Sequence, residues 1–194
     1  MAELQFGPSG CPLAGELIRH WPEKSQAVAR ITADRYGAPD EALPSRLFWY
    51  ENRPWAWTII YRDEVQHNFP GSHTDVIEQA IRYRVPVARI PEILAFHGGF
   101  KFDRVKGEVS VRCGREESNF LAINLMHEIL QGRLSVEDAR RQFGEKLMLL
   151  VRDQPPDETR RFGFELPTGD TADRDVTTVE DGYLDITDLL SPQD

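Results

Sequence analysis

Residues 47–61 read Leu-Phe-Trp-Tyr-Glu-Asn-Arg-Pro-Trp-Ala-Trp-Thr-Ile-Ile-Tyr. Two runs of aromatic and β-branched residues lie on either side of a polar turn that contains Pro54, a pattern typical of a β-hairpin. A second pair of runs, Phe100–Val105 and Glu108–Arg112, flanks Lys106-Gly107, which is an acceptable pair for a tight turn. The sequence therefore predicts two antiparallel hairpins.

Several other stretches have the apolar spacing and the end signals of helices. They are residues 12–37 with an interruption at Pro22, Asp75 to Arg84, Pro91 to Phe96, Glu116 to Gln131, and a helix that begins at Ser135. Strands in hairpins with helices before, between and after them predict an α+β fold. We expect a small antiparallel sheet built from the two β-hairpins and packed with about five helices.

Charge divides the chain into two parts. The net charge is −9, and from Glu165 to Asp194 there are nine acidic residues against one basic residue, Arg174. We therefore expect a single globular domain over residues 1–153 and an acidic, largely disordered tail over residues 154–194. Near its end the tail carries a cluster of large apolar residues that resembles a docking segment (183–190): Tyr183, Leu184, Ile186, Leu189 and Leu190.

Composition excludes several classes of protein. The body is not basic, so it lacks the electrostatic footprint of nucleic-acid binding. No run approaches eighteen apolar residues, which argues against a membrane-spanning helix. The two cysteines, Cys11 and Cys113, are far apart in sequence and predict reduced thiols rather than a disulfide framework. We expect a cytoplasmic protein that binds neither nucleic acid nor membrane.

A polar stretch around residues 67–75 is the first candidate site. His67 and His73 are followed by Asp75, and imidazole and carboxylate groups are ligands that suit zinc, iron or manganese. A further ligand could come from His127 or Glu128. The spacing matches no established metal motif, and the same residues are ordinary in loops. A divalent metal is thus one interpretation, and a loop without a metal is the other.

The second candidate is a polar stripe on the predicted helix 116–131. Asn124, His127, Glu128 and Gln131 have the spacing of one helical face. A partly shielded histidine beside a glutamate can act as a general base, which makes His127 and Glu128 candidate catalytic residues. The alternative is that the stripe faces solvent on an amphipathic helix.

The third candidate is the aromatic hairpin itself. Trp55, Trp57 and Tyr61 alternate along one predicted strand, and Trp49 lies on its partner. Such side chains can form the wall of a pocket for a flat or apolar ligand, or a surface for a partner. The alternative is that they form the core of a small sheet.

These features predict three classes of function. Charge segregation, the terminal apolar cluster and the lack of strong catalytic motifs favour an accessory protein that binds a protein partner through its tail. A metal-dependent enzyme with a His/Asp/Glu site and a small-ligand binder with an aromatic pocket are the alternatives.

Overall fold

Residues 13–178 are described in this computed structural model, and six strands in that range form one antiparallel sheet. The strands are β1 (Glu41–Leu43), β2 (Arg46–Tyr50), β3 (Trp57–His67), β4 (His73–Arg82), β5 (Phe100–Asp103) and β6 (Glu108–Cys113). Their order in the sheet is β1-β2-β3-β4-β6-β5. The two predicted hairpins are β2–β3 and β5–β6, and β4 lies between them.

The described range also contains five α-helices, so the predicted α+β class is confirmed. They are α1 (Leu13–Ile18), α2 (Glu23–Tyr36), α3 (Ile90–Phe96), α4 (Glu116–Leu130) and α5 (Val136–Val151). Ser135 caps α5 as expected, because its hydroxyl accepts a hydrogen bond from the Asp138 backbone N–H at 3.0 Å. Within residues 13–178, no helix combines the length and the apolar composition that crossing a bilayer requires.

The helix predicted from Asp75 to Arg84 is wrong, because this segment is the central strand β4. Val76, Ile77, Ala80 and Ile81 are all buried, and their spacing imitates one face of a helix. The residues of β4 are buried on both faces, so the strand lacks the alternation that normally distinguishes it from a buried helix. Here pairing with β3 on one side and β6 on the other determines the extended conformation.

The core lies on one face of the sheet and has two parts. The larger cluster packs β4–β6 against α3, α4 and α5, and it includes Ile81, Phe96 and Phe143. The smaller cluster packs β2–β4 against α1 and α2, and it includes Ile77. Ile77 and Ile81 are four residues apart in one strand and so point to the same face. The helices therefore cover a single face, and the opposite face is left more open.

The packed chain continues past the predicted domain edge at residue 153. Phe162 packs edge-on against Trp55 with ring centroids 5.2 Å apart. The side-chain amide of Asn124 donates to the carbonyls of Glu158 and Arg161 and accepts from the Gly163 N–H. The boundary at 153 is therefore too early, because aromatic residues beyond it still add apolar surface to the core.

Further along, Thr171 is buried and its hydroxyl donates to the Gly107 carbonyl at 2.8 Å. The described chain thus returns to the β5–β6 turn after crossing α4. The docking segment 183–190 lies outside the described residues, so its role stays a prediction.

Asn124→Ala is expected to lower the free energy of unfolding by about 2 kcal/mol, because it removes three partly buried hydrogen bonds to the backbone. Urea denaturation measures this directly. Gln131→Ala, at the exposed position directly after α4, is the matched control and should change stability by less than about 0.5 kcal/mol. Equal stability of the two variants would show that residues 158–163 are not held by this side chain.

Candidate metal centre

The end of the β3–β4 hairpin brings the three predicted metal ligands together. His67 lies directly opposite His73 in the ladder, and Asp75 follows His73 by two residues. Residues opposite each other, and residues two apart in one strand, share a face of a sheet. All three side chains therefore project to the same side of the hairpin, near its turn.

The distances within this group are short. The Asp75 carboxylate lies between the histidines, with Oδ2 3.0 Å from His67 Nδ1 and Oδ1 3.0 Å from His73 Nε2. One ligand atom from each residue lies within 4.8 Å of the others. The Asp75 side chain is 7% exposed, whereas the histidines are 21% and 30% exposed. The group is therefore sheltered at the carboxylate and open at the imidazoles.

The orientation of His73 resembles that of a metal ligand. Its Nδ1 lies 2.8 Å from the Gly71 carbonyl oxygen, which can only accept a hydrogen bond. Nδ1 therefore carries the proton, and in the neutral ring Nε2 directs a lone pair towards Asp75. A histidine ligand commonly donates its other N–H to a backbone carbonyl in this way, which fixes its tautomer and its ring plane.

The contacts of Asp75 with the two histidines are 3.0 Å long, but their geometry does not fit a hydrogen bond. His67 Nδ1 and Asp75 Oδ1 are buried, and neither has a hydrogen-bond partner among the described residues. Buried polar atoms without partners are costly, and most such atoms in folded proteins are satisfied. A cation between the three ligand atoms would satisfy both.

Electrostatics around Asp75 are set by burial and by nearby cationic groups. Burial raises the pKa of the Asp75 carboxyl, and His67, His73 and Lys24 oppose this rise. The Lys24 ammonium donates to the backbone carbonyl and the hydroxyl of Thr74, the residue next to Asp75. The pKa of this carboxyl is therefore raised overall, and the nearby cationic groups offset only part of the effect of burial.

His97 is a residue of this region that the sequence analysis missed. It is fully buried, and its ring centroid lies 5.0 Å from that of His67. Its Nδ1 accepts the Gly99 N–H at 3.0 Å, and its Nε2 lies 3.6 Å from the Cys113 sulfur. Burial, with smaller contributions from His67 and His73, lowers the pKa of His97 to about 3, so the ring is neutral. His97 therefore forms an inner wall behind His67.

A sequence signal for His97 exists in the Gly98-Gly99 pair that follows it. A Cβ at Gly99 would lie 2.5 Å from the Arg112 carbonyl oxygen and 2.9 Å from His97 Cε1. Only glycine allows this close approach, which folds the chain back over the imidazole. Nothing in the sequence, however, connects this pair with residues 67–75.

His127 and Glu128 do not belong to the ligand group of the described chain. The His127 ring stacks on Phe164 with centroids 3.9 Å apart, and its Nδ1 lies 2.9 Å from the Tyr83 hydroxyl. Glu128 pairs with Arg133, which lowers the pKa of its carboxyl. Residues after 153 cover part of the polar stripe, and the two candidate catalytic residues have other partners.

The aromatic hairpin divides between core and surface. Trp49 and Trp55 are buried, so these two side chains belong to the core and not to the wall of a ligand pocket. Trp57 lies on the other face and lines a groove of about 390 Å³ with Phe48 and Phe102. Trp55 does not share a face with Trp57 because β3 begins only at Trp57.

Glu78 lies at the centre of that open face and is 2% exposed. It accepts hydrogen bonds from Lys101 Nζ at 2.6 Å, Ser110 Oγ at 2.7 Å and the Tyr61 hydroxyl at 2.8 Å. Burial alone would raise the pKa of Glu78, but these three donors outweigh it and the pKa is lowered. The Tyr61 hydroxyl is thus hydrogen-bonded to Glu78, and Arg112 Cζ lies 4.1 Å from the centroid of the Tyr61 ring.

A second groove, of about 480 Å³, adjoins the candidate metal centre. It runs between the turn 70–73, the start of α4 and one side of α5, and His73 forms part of its wall. No protein-family model, curated protein or solved structure matches this chain. Three protein ligands at one edge of a groove leave coordination positions for water and for a substrate.

Glu78→Gln is expected to lower the free energy of unfolding by about 1–3 kcal/mol near pH 7, because an amide accepts fewer and weaker hydrogen bonds than a carboxylate. The lowered pKa means that Glu78 contributes its full stability above the ordinary glutamate value of 4.5. This contribution is lost as the pH falls through the lowered pKa. Thermal unfolding of the natural chain and of Glu78→Gln between neutral and acid pH measures the difference in their stability. This difference should become smaller on acidification. Glu137→Gln at an exposed position is the control. A stability difference between the natural chain and Glu78→Gln that does not depend on pH would contradict the role of the ionised Glu78 carboxylate.

Proposed function

We propose that this protein is a metal-dependent enzyme whose mononuclear centre is formed by His67, His73 and Asp75. The observation that carries the proposal is the convergence of three ligand atoms within 4.8 Å, with His73 oriented by the Gly71 carbonyl. Two imidazoles and one carboxylate are a donor set that suits Fe²⁺, Zn²⁺ or Mn²⁺. Such a cation, when bound, would act as a Lewis acid and would lower the pKa of a water molecule on it.

The surrounding residues have separate tasks in this proposal. Gly71 fixes the tautomer of His73, and the hairpin ladder fixes the separation of the two imidazoles. On the inner side, His97 and Phe69 pack edge-on with centroids 5.8 Å apart and keep water away from that side of His67. The ligands are therefore preorganised on strands, whose positions vary less than those of loop residues.

The interaction function predicted from the acidic tail depends on residues 183–190. Since these lie outside the described residues, binding of a protein partner through the tail stays a prediction. Thr171 is packed against Gly107, so a deletion that tests the tail without disturbing this contact begins at residue 179. Retention of a protein partner by such a truncated chain would argue against the tail as the docking element.

The full chain, stripped of metal by a chelator, is expected to bind one equivalent of Zn²⁺ or, without oxygen, Fe²⁺ in isothermal titration. His73→Ala and Asp75→Asn should each weaken binding by about 100-fold or more, because loss of a ligand exceeds the 10–100-fold cost of losing an outer-shell contact. His127→Ala is the matched control, since this half-buried histidine lies outside the ligand group.

Circular dichroism of each variant separates loss of binding from loss of folding. Metal binding that is unchanged in folded His73→Ala and Asp75→Asn would rule out this centre. Equal loss in His127→Ala would point to a different set of ligands.

A further inference from the structure

We infer that the groove beside the centre binds a small organic carboxylate with an apolar chain, and that such a molecule is the substrate class of the proposed enzyme. The inference rests on the proposed metal centre for its catalytic meaning. His73 is the one proposed ligand in the groove wall, where Gly71 and Lys24 also act on the centre, and the other lining residues take no part in holding the metal.

The size and position of the groove suit a small molecule. Its volume of about 480 Å³ lies within the range of about 300–1,000 Å³ that is typical of ligand pockets. His73 is the member of the ligand group that lines it, so a molecule in the groove lies beside the metal position. Pro70 and Gly71 form the adjoining edge.

One end of the groove is cationic. Lys24 and Arg115 both line it, and none of the described residues in its wall is acidic. Arg115 is exposed and makes no ion pair with another residue of the described chain. Lys24 is engaged by Thr74, so Arg115 is the cation that remains available to a ligand. In a protein whose net charge is −9, a groove with this guanidinium and no carboxylate in its described wall favours an anionic ligand. A guanidinium group binds a carboxylate particularly well because its two parallel N–H groups match the two oxygens.

One wall of the groove is apolar and comes from α5. Leu147, Met148, Leu150 and Val151 line it, and Met148 and Val151 are 51% and 70% exposed. Exposed apolar residues that adjoin one another on a groove wall are typical of a binding surface. A ligand chain lying along them would bury this surface while its carboxylate contacts Arg115 at the start of α4.

The experiment titrates octanoate into the full chain, once loaded with Zn²⁺ and once free of metal, by isothermal calorimetry. One equivalent should bind, and binding should be tighter with Zn²⁺ because the anion gains the charge of the cation. Octanamide has the same shape without the charge, and its affinity should be lower by about 10-fold or more. Arg115→Gln should weaken octanoate binding by about 10-fold, since it removes one charge-assisted contact at an exposed site.

Two further variants separate the groove from general surface effects. Met148→Asp should also weaken octanoate binding, because it places a carboxylate on the apolar wall. Arg141→Gln, also on α5 but paired with Asp138 and Glu145 away from the groove residues, should leave it unchanged.

The outcomes for the groove and for the metal are independent. If Zn²⁺ binds as proposed but octanoate does not, or if Arg115→Gln binds it as well as the natural chain, this inference is overturned and the metal centre stands. If octanoate binds equally with and without Zn²⁺, the groove does not serve the centre and the substrate assignment fails. If Zn²⁺ does not bind, the proposed enzyme function fails, and Arg115-dependent octanoate binding would leave only a carboxylate-binding groove.

Discussion

The ladder between β3 and β4 is the constraint on which the fold and the candidate centre both depend. β4 is hydrogen-bonded to β3 on one side and to β6 on the other, which joins the two hairpins into one sheet. The same ladder places His67 opposite His73. A slip of one residue would move Ile77 and Ile81 out of the core and turn His73 and Asp75 to the other face. The free energy of core packing therefore also maintains the geometry of the ligands.

Buried polar contacts hold the sheet and helices in one arrangement. Gln79 on β4 donates to Glu116 at 2.9 Å and accepts from Asn119 at 2.9 Å, so two residues of α4 are tied to the central strand. Glu116 also accepts the Trp55 indole N–H at 2.7 Å. Satisfied polar contacts of this kind add directional specificity to an apolar interface. They hold the start of α4 beside the cationic end of the groove.

The two faces of the sheet have different chemistry for a physical reason. Helices cover the face of Ile77 and Ile81, and Gln79 on that face is hydrogen-bonded to Glu116 and Asn119 of α4. The other face has no helix over it in the described chain, and Glu78 there is satisfied by side chains of the sheet itself. The Glu78 carboxylate is therefore satisfied, whereas His67 Nδ1 and Asp75 Oδ1 make no hydrogen bond within the described chain. This contrast is why the hairpin end, rather than the aromatic groove, is the better candidate for chemistry.

The amino-acid sequence by itself determined the two hairpins, the long helix α4, the capped start of α5 and the identity of the three candidate ligands. These depend on local signals: turn residues, caps and the spacing of apolar side chains. Only the tertiary structure decided that residues 75–82 form a strand, that Trp55 is a core residue and that His97 stands behind His67. Burial on both faces removes the periodicity of a strand. Contacts between residues far apart in sequence leave no local trace, because they depend on how the whole chain packs.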